Sequence, residues 1–207
     1  MDVGRPYTAL VPTLDGAVVT VLAGTTRRLT GREVARLTGR SAHKGVLDAL
    51  SRLTEQGLVE REEAGRALLY ALNRDHLAAP AVEVLANLRV ELQHRIRAAL
   101  DGWATPPLHA SMFGSAARGD GDAASDIDLF VVRRDDVSVE DEEWRAQLDD
   151  LTTNIRRWTG NRGVVSEVDA SELATLRDAG RPIVDELRND AITLLGPTLD
   201  TMLTVTA

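Results

Sequence analysis

Asp126 and Asp128 open the stretch Asp-Ile-Asp-Leu-Phe-Val-Val, which is apolar from Leu129 to Val132. Side chains alternate along a strand, so the two carboxylates project from one side, with Cα atoms roughly 7 Å apart, while Ile127 and Leu129 take the other. Stability explains the pair poorly, because Asp has low strand propensity and like charges side by side repel. Concentrated negative charge at a fixed spacing suits divalent cations. The segment just before it, Leu108 to Phe113, is apolar and stops abruptly at Gly114-Ser115. Two strands joined by a loop therefore have to hold the carboxylates.

The 207 residues suggest two small domains. Hydrophobic residues make up 43% and charged residues 27%, enough apolar surface for two cores. Cysteine is absent, which excludes disulfides and thiolate metal sites. With no apolar run near the roughly 20 residues of a membrane span and no signal-peptide pattern at Met-Asp-Val-Gly-Arg-Pro, a cytoplasmic protein with no membrane partner is expected. The net charge of −8 is unevenly spread. Residues 1–78 hold eleven Arg or Lys against nine Asp or Glu, whereas the remainder holds 13 against 23. Arg27, Arg28, Arg32, Arg36, Arg40, Lys44 and Arg52 form a local basic cluster interrupted only by Glu33 and Asp48. An acidic protein with such a patch is a poor indiscriminate nucleic-acid binder but can still carry a footprint.

The elements around that patch follow from the sequence. Leu14 to Ala23 is an apolar first helix, and Thr30-Gly-Arg-Glu33 has capping-box spacing for a second that ends at Thr38-Gly39. Ser41 is the next N-cap; Val46, Leu47, Leu50 and Leu53 follow at helical spacing, and Gly57 closes that helix. Leu58 to Leu72 reads as two strands around an Ala64-Gly65 turn. This order is that of a winged helix-turn-helix, and Val46 to Arg61 resembles the recognition-helix-to-wing segment of bacterial transcription regulators. The resemblance implies that Ser41, Ala42, His43, Lys44, Ser51 and Arg52 face double-stranded DNA, with Arg27, Arg28, Arg40 and Arg66 on phosphates. The acidic hairpin, Glu60-Arg61-Glu62-Glu63, argues the other way and suits a protein-binding role.

Asp75 to Asp101 is the longest helical pattern, with Pro80 near its first turn and Ala81, Leu85, Leu88, Leu92, Ile96 and Leu100 as an apolar stripe. It is either a spacer or the seam of a homodimer. Asp101-Gly102-Trp103 and Pro106-Pro107 break it.

The string Gly114-Ser115-Ala-Ala-Arg118-Gly119 followed by Ser125-Asp126-Ile-Asp128-Leu resembles the nucleotidyltransferase superfamily of DNA polymerase β, most closely its minimal bacterial branch. The likeness runs from Leu108 to about Gly196. It implies that Gly114, Ser115, Arg118 and Ser125 bind an NTP substrate, with Gly114 admitting a phosphate to the backbone, Ser115 adding hydroxyl and amide donors, and Arg118 offsetting charge. It further implies that Asp126 and Asp128 hold two Mg²⁺ ions roughly 3.5–4 Å apart. In such enzymes a third carboxylate on a later strand completes the set. Here that strand is Gly163-Val-Val-Ser-Glu167-Val-Asp169, and the match departs. Register against the small transferases puts Ser166 at the position, whereas alternation sets Glu167 and Asp169 together on one face. Glu167 is the choice for catalysis and metal binding, with Asp169 second.

The expected fold is α+β: a winged helix-turn-helix domain over 1–76, a connecting helix over 77–103, and a small nucleotidyltransferase domain over 104–207 with a mixed sheet flanked by helices. Two functions compete. One is Mg²⁺-dependent transfer of a nucleoside monophosphate to a hydroxyl of a protein, RNA or small molecule, regulated by the DNA-binding module. The other is a transcription regulator or antitoxin whose transferase domain only senses nucleotide or binds a partner.

Overall fold

A computed structural model describes residues 1–39 and 43–205. Arg40, Ser41 and Ala42, all placed above on the DNA-facing surface, lie outside the described residues. The fold is α+β, and the chain divides into two compact units, Pro6–Arg89 and Met1–Arg5 together with the chain from Val90 onward.

The first unit begins with a 3-10 turn (Pro6–Ala9) and α1 (Leu14–Ala23), followed by β1 (Leu29–Thr30), α2 (Gly31–Leu37) and α3 (His43–Glu55). The capping box is present: Thr30 Oγ1 accepts from the Glu33 amide and Glu33 accepts from the Thr30 amide. The Thr30 amide first, then the Arg27 guanidinium and the Thr30 hydroxyl, donate to the Glu33 carboxyl and hold it at about 2. β2 (Val59–Ala64) and β3 (Ala67–Leu72) form an antiparallel hairpin turning at Gly65, and β1 joins its other edge to give the order β1-β3-β2. Val18, Leu22, Leu29, Val34, Val46, Leu50 and Val59 close the core between helices and sheet. The long helical pattern from Asp75 to Asp101 is not one helix. It breaks at Asn87 into α4 (Ala79–Ala86) and α5 (Leu88–Asp101), the Asn87 amide and side chain both bonding back to the Glu83 carbonyl. Apolar periodicity survives a cap, which is why the stripe read as continuous.

In the second unit β4 (His109–Phe113) leads through α6 (Gly114–Arg118) to β5 (Ile127–Arg133), then α7 (Glu142–Thr159), β6 (Gly163–Asp169), α8 (Ala170–Asp178), α9 (Pro182–Asp190), β7 (Ile192–Leu195) and α10 (Leu199–Val205). The sheet order is β6-β5-β4-β7; β5 and β6 are parallel and the other pairs antiparallel. Alternation divides the side chains cleanly. Ala110, Met112, Ile127, Leu129 and Val131 pack with Leu92, Ile96 and Leu100 of α5 and Trp144, Leu151 and Ile155 of α7. Phe113, Phe130 and Val132 meet Leu173, Val184, Leu187, Leu199 and Leu203 of α8, α9 and α10. The interior positions of β4 and β5 are mostly apolar because both faces are covered.

His109 and Ser111 are the buried polar residues of β4, and His109 is the titratable one. His109 is fully buried, its Nδ1 bonds the Pro197 carbonyl at 2.7 Å, and its Nε2 finds no partner among the described residues. Burial pushes the imidazole below 6.5, the Pro197 bond opposing in part. The unfolded chain then takes up this proton more readily than the folded one, so stability falls as pH drops below about 6.5. The melting temperature measured between pH 7 and pH 5 is expected to fall more steeply in wild type than in His109→Gln. Parallel curves would reject His109 as a source of the slope.

Candidate active site

The site forms where β4 ends and β5 begins. Phe113 pairs with Asp128 across the two strands. The chain then turns at Gly114, whose φ of +67° is left-handed, a conformation that suits glycine. A Cβ built there would stand 2.9 Å from Asp128 Oδ2, so the absent side chain is what lets the turn lie against this carboxylate. After α6 the chain folds back on itself: the amides of Gly119, Asp120 and Gly121 all donate to the Ser115 carbonyl, at 2.9, 3.2 and 3.3 Å. The Ser115 hydroxyl faces Gly121, where a Cβ would come within 2.9 Å of Oγ.

Asp126 and Asp128 are both part-exposed at the open end of β5. Burial pushes the Asp128 carboxyl up from its ordinary value and the Asp126 charge adds to this, while Arg162 opposes. The pair is thus held against its own repulsion, a condition that a cation between the carboxylates relieves.

Of the expected nucleotide-binding residues, Ser115 and Ser125 approach each other across Gly121, and Arg118 and Ser125 already have partners. Arg118 donates to Asp120 at 3.1 Å and to Asp190 at 3.0 Å, and these bonds raise its pKa further. Ser125 Oγ donates to Asp122 Oδ1 and accepts the Asp122 amide, both at 2.9 Å, closing the loop just before Asp126. Asp122 is thereby held below its ordinary value, mainly by the Ser125 hydroxyl.

Glu167 is not brought to this site. In the parallel β5–β6 ladder Phe130 pairs with Ser166 and Val131 with Glu167. Paired residues share a face, so Ser166 lies on the face of Asp128 and Phe130, and Glu167 on the face covered by α7. There its Oε1 accepts from Arg133 Nε at 2.7 Å and from the Trp144 indole at 2.9 Å. Asp169 shares that face and caps α8 in a second capping box with Glu172; the Glu172 amide and the Ser171 hydroxyl hold its carboxyl down. The Asp169-x-x-Glu172 spacing signals that cap in the sequence. The face shared by Asp126 and Asp128 therefore takes no carboxylate from β6. Among the described residues no group of three His, Cys, Asp or Glu is placed to hold a metal ion.

Two residues that sequence reasoning passed over support the carboxylates. Asn161, buried, donates from Nδ2 to the carbonyls of Ser125 (2.8 Å) and Asp122 (3.3 Å), and its Oδ1 accepts from the Met1 amine at 2.7 Å. Arg162 follows, its carbonyl accepting the Ile127 amide at 2.8 Å and its guanidinium 3.4 Å from Asp126 Oδ2. Nothing in the local pattern Trp-Thr-Gly-Asn-Arg marks these roles, because they depend on the loop packed opposite.

Residues 101–183 match the family model for the nucleotidyltransferase domain. The match encloses the Gly114 turn, both site carboxylates and all of β6. No curated protein matches the chain. Among solved structures, a toxin–antitoxin with AMP-PNP shows 17% identity and a TM-score of 0.38, covering 55% of this chain and 82% of its own. A toxin–antitoxin MntA–HpeT mutant shows 15% identity and a TM-score of 0.37 with the same coverages. The first unit exposes His43 and Lys44 at the start of α3, with a groove lined by Arg32, His43, Leu47, Arg66, Leu68 and Tyr70. Arg52, expected at DNA, donates to Asp15 of α1 at 2.9 and 3.0 Å. Arg28 bonds Glu60 and lies 3.0 Å from Glu62 on the hairpin. No helix among the described residues is long and apolar enough to cross a membrane.

Proposed function

We propose that the nucleotidyltransferase domain moves a nucleoside monophosphate from an NTP to a hydroxyl acceptor on a protein, RNA or small molecule, and does so with divalent cations. The observation that supports this reading is the left-handed Gly114 turn set directly against Asp128, a carboxylate that burial and the neighbouring Asp126 charge both disfavour. The donor set suits a hard cation: Asp126 and Asp128 would hold Mg²⁺, with the remaining positions taken by phosphate oxygens and water. When bound, the cation supplies charge neutralisation at the phosphates and an easier loss of the hydroxyl proton. The chain's own residues do the rest. Gly114 admits the polyphosphate to the backbone, Ser115 offers donors to its oxygens, and Arg118 balances its charge. The hydroxyl oxygen bonds to the α-phosphorus as the bond to the bridging oxygen breaks, and pyrophosphate leaves. With Glu167 engaged on the other face, proton removal falls to Asp126 or Asp128.

Incubation with each α-labelled NTP, Mg²⁺ and lysate is expected to give label transfer that EDTA abolishes. No transfer from any NTP, under conditions where the protein binds Mg·NTP, would sink the catalytic reading. The sharing of a face by Ser166, rather than an acidic residue, with Asp128 favours a second reading. In it the chain is a DNA-binding regulator or antitoxin whose domain senses nucleotide. The first unit as a winged helix on DNA rests on its element order and on exposed His43 and Lys44. A gel shift with the protein's own upstream region tests it; absence of binding at low salt removes it.

A further inference from the structure

We propose that Arg162 is a polyphosphate-binding residue, one that exchanges its contact with Asp126 for the substrate's phosphates when cation and nucleotide arrive. The inference rests on the proposed nucleotide reading. An NTP brings about four negative charges to a place that already holds two carboxylates, so the site needs cationic side chains that can turn toward it. Arg118 is the evident one, yet Asp120 and Asp190 both hold it. Arg162 differs in three respects. Its backbone is fixed, because its carbonyl accepts the first amide of β5 and the preceding Asn161 grips the carbonyls of Asp122 and Ser125. Its side chain is 68% exposed and so can move. Its contact with Asp126 is a 3.4 Å approach rather than a short bidentate pair, and such an exposed ion pair is worth little. A guanidinium tethered at its root, loose at its tip and beside the cation-holding carboxylate is suited to a fork-shaped hold on phosphate oxygens. A cation on Asp126 would displace it by like-charge repulsion, which frees it for phosphate at the moment phosphate is present.

The test pairs two binding measurements on the full chain with Arg162→Gln and Arg162→Lys, and Arg145→Gln as a control for surface charge. The first is calorimetric titration with the non-transferable α,β-methylene analogues of the four NTPs in Mg²⁺; the second is Mn²⁺ binding without nucleotide, read by electron paramagnetic resonance. Arg162→Gln is expected to weaken the best analogue about tenfold or more and to tighten Mn²⁺ alone severalfold, since Asp126 has lost its counter-charge. Arg162→Lys should recover part of the analogue affinity, and Arg145→Gln should behave as wild type. The opposite signs exclude general damage, which would weaken both. Unchanged analogue affinity in Arg162→Gln, with or without tighter Mn²⁺, leaves Arg162 a mere counter-ion and overturns the proposal. If wild type itself binds no analogue, the nucleotide reading falls and takes this inference with it.

Discussion

Asp128→Asn is expected to lower label transfer by roughly 10²–10³, the loss that follows removal of one pre-placed electrostatic group, without lowering the melting temperature. The two halves of this result have one cause. Asp128 carries its charge in a place that disfavours it: burial raises its pKa first, and the nearby Asp126 charge raises it further. A carboxyl whose folded pKa is raised costs stability at pH values above its unfolded pKa, so the uncharged amide removes a penalty at neutral pH. The same charge is what a cation at this site requires. Asp126→Asn should act in the same direction on transfer, and it also removes the contact with Arg162. Label transfer and thermal melting on the same preparations decide the matter. Transfer at the wild-type rate in Asp128→Asn would remove the carboxylate from the chemistry, and a large drop in melting temperature would show that it is structural.

Trp144→Ala is expected to destabilise the second unit by about 3–5 kcal/mol, the range for emptying a large aromatic site in a core. Trp144 is fully buried and is among the largest side chains so enclosed. It meets Trp103 edge-on at 5.3 Å and donates its indole N–H to Glu167, which also binds the nearly buried Arg133. Truncation therefore leaves a cavity and takes one donor from Glu167, whose carboxylate stays beside Arg133 on the covered face. Trp144→Phe retains the packing but lacks the donor, and is expected to fall between wild type and alanine. Urea denaturation monitored by circular dichroism measures the series. A loss under 1 kcal/mol in Trp144→Ala would contradict the packing described for α7. Glu167→Gln in the same assay should also destabilise, while leaving Mn²⁺ affinity at the site unchanged, because the residue faces away from Asp126 and Asp128.

What the sequence determined by itself is whatever depends on neighbours a few residues away. The Thr30–Glu33 capping box, the Gly65 hairpin turn, the strand ending at Gly114 and the paired carboxylates of β5 are set by local spacing and alternation, and all stand in the structure. Alternation also placed Glu167 and Asp169 together on one face of β6. It could not say which face of the sheet that was, because strand period is two and a parallel neighbour can be met in either register. Only the β5–β6 ladder decided it, pairing Ser166 beside Phe130 and turning Glu167 to Trp144 and Arg133. The break at Asn87 was hidden for a related reason: a capped helix end changes the backbone without disturbing the apolar stripe. Asn161 and Arg162 took their roles from a loop some 35 residues away in the chain, and only folding brings those two segments into contact.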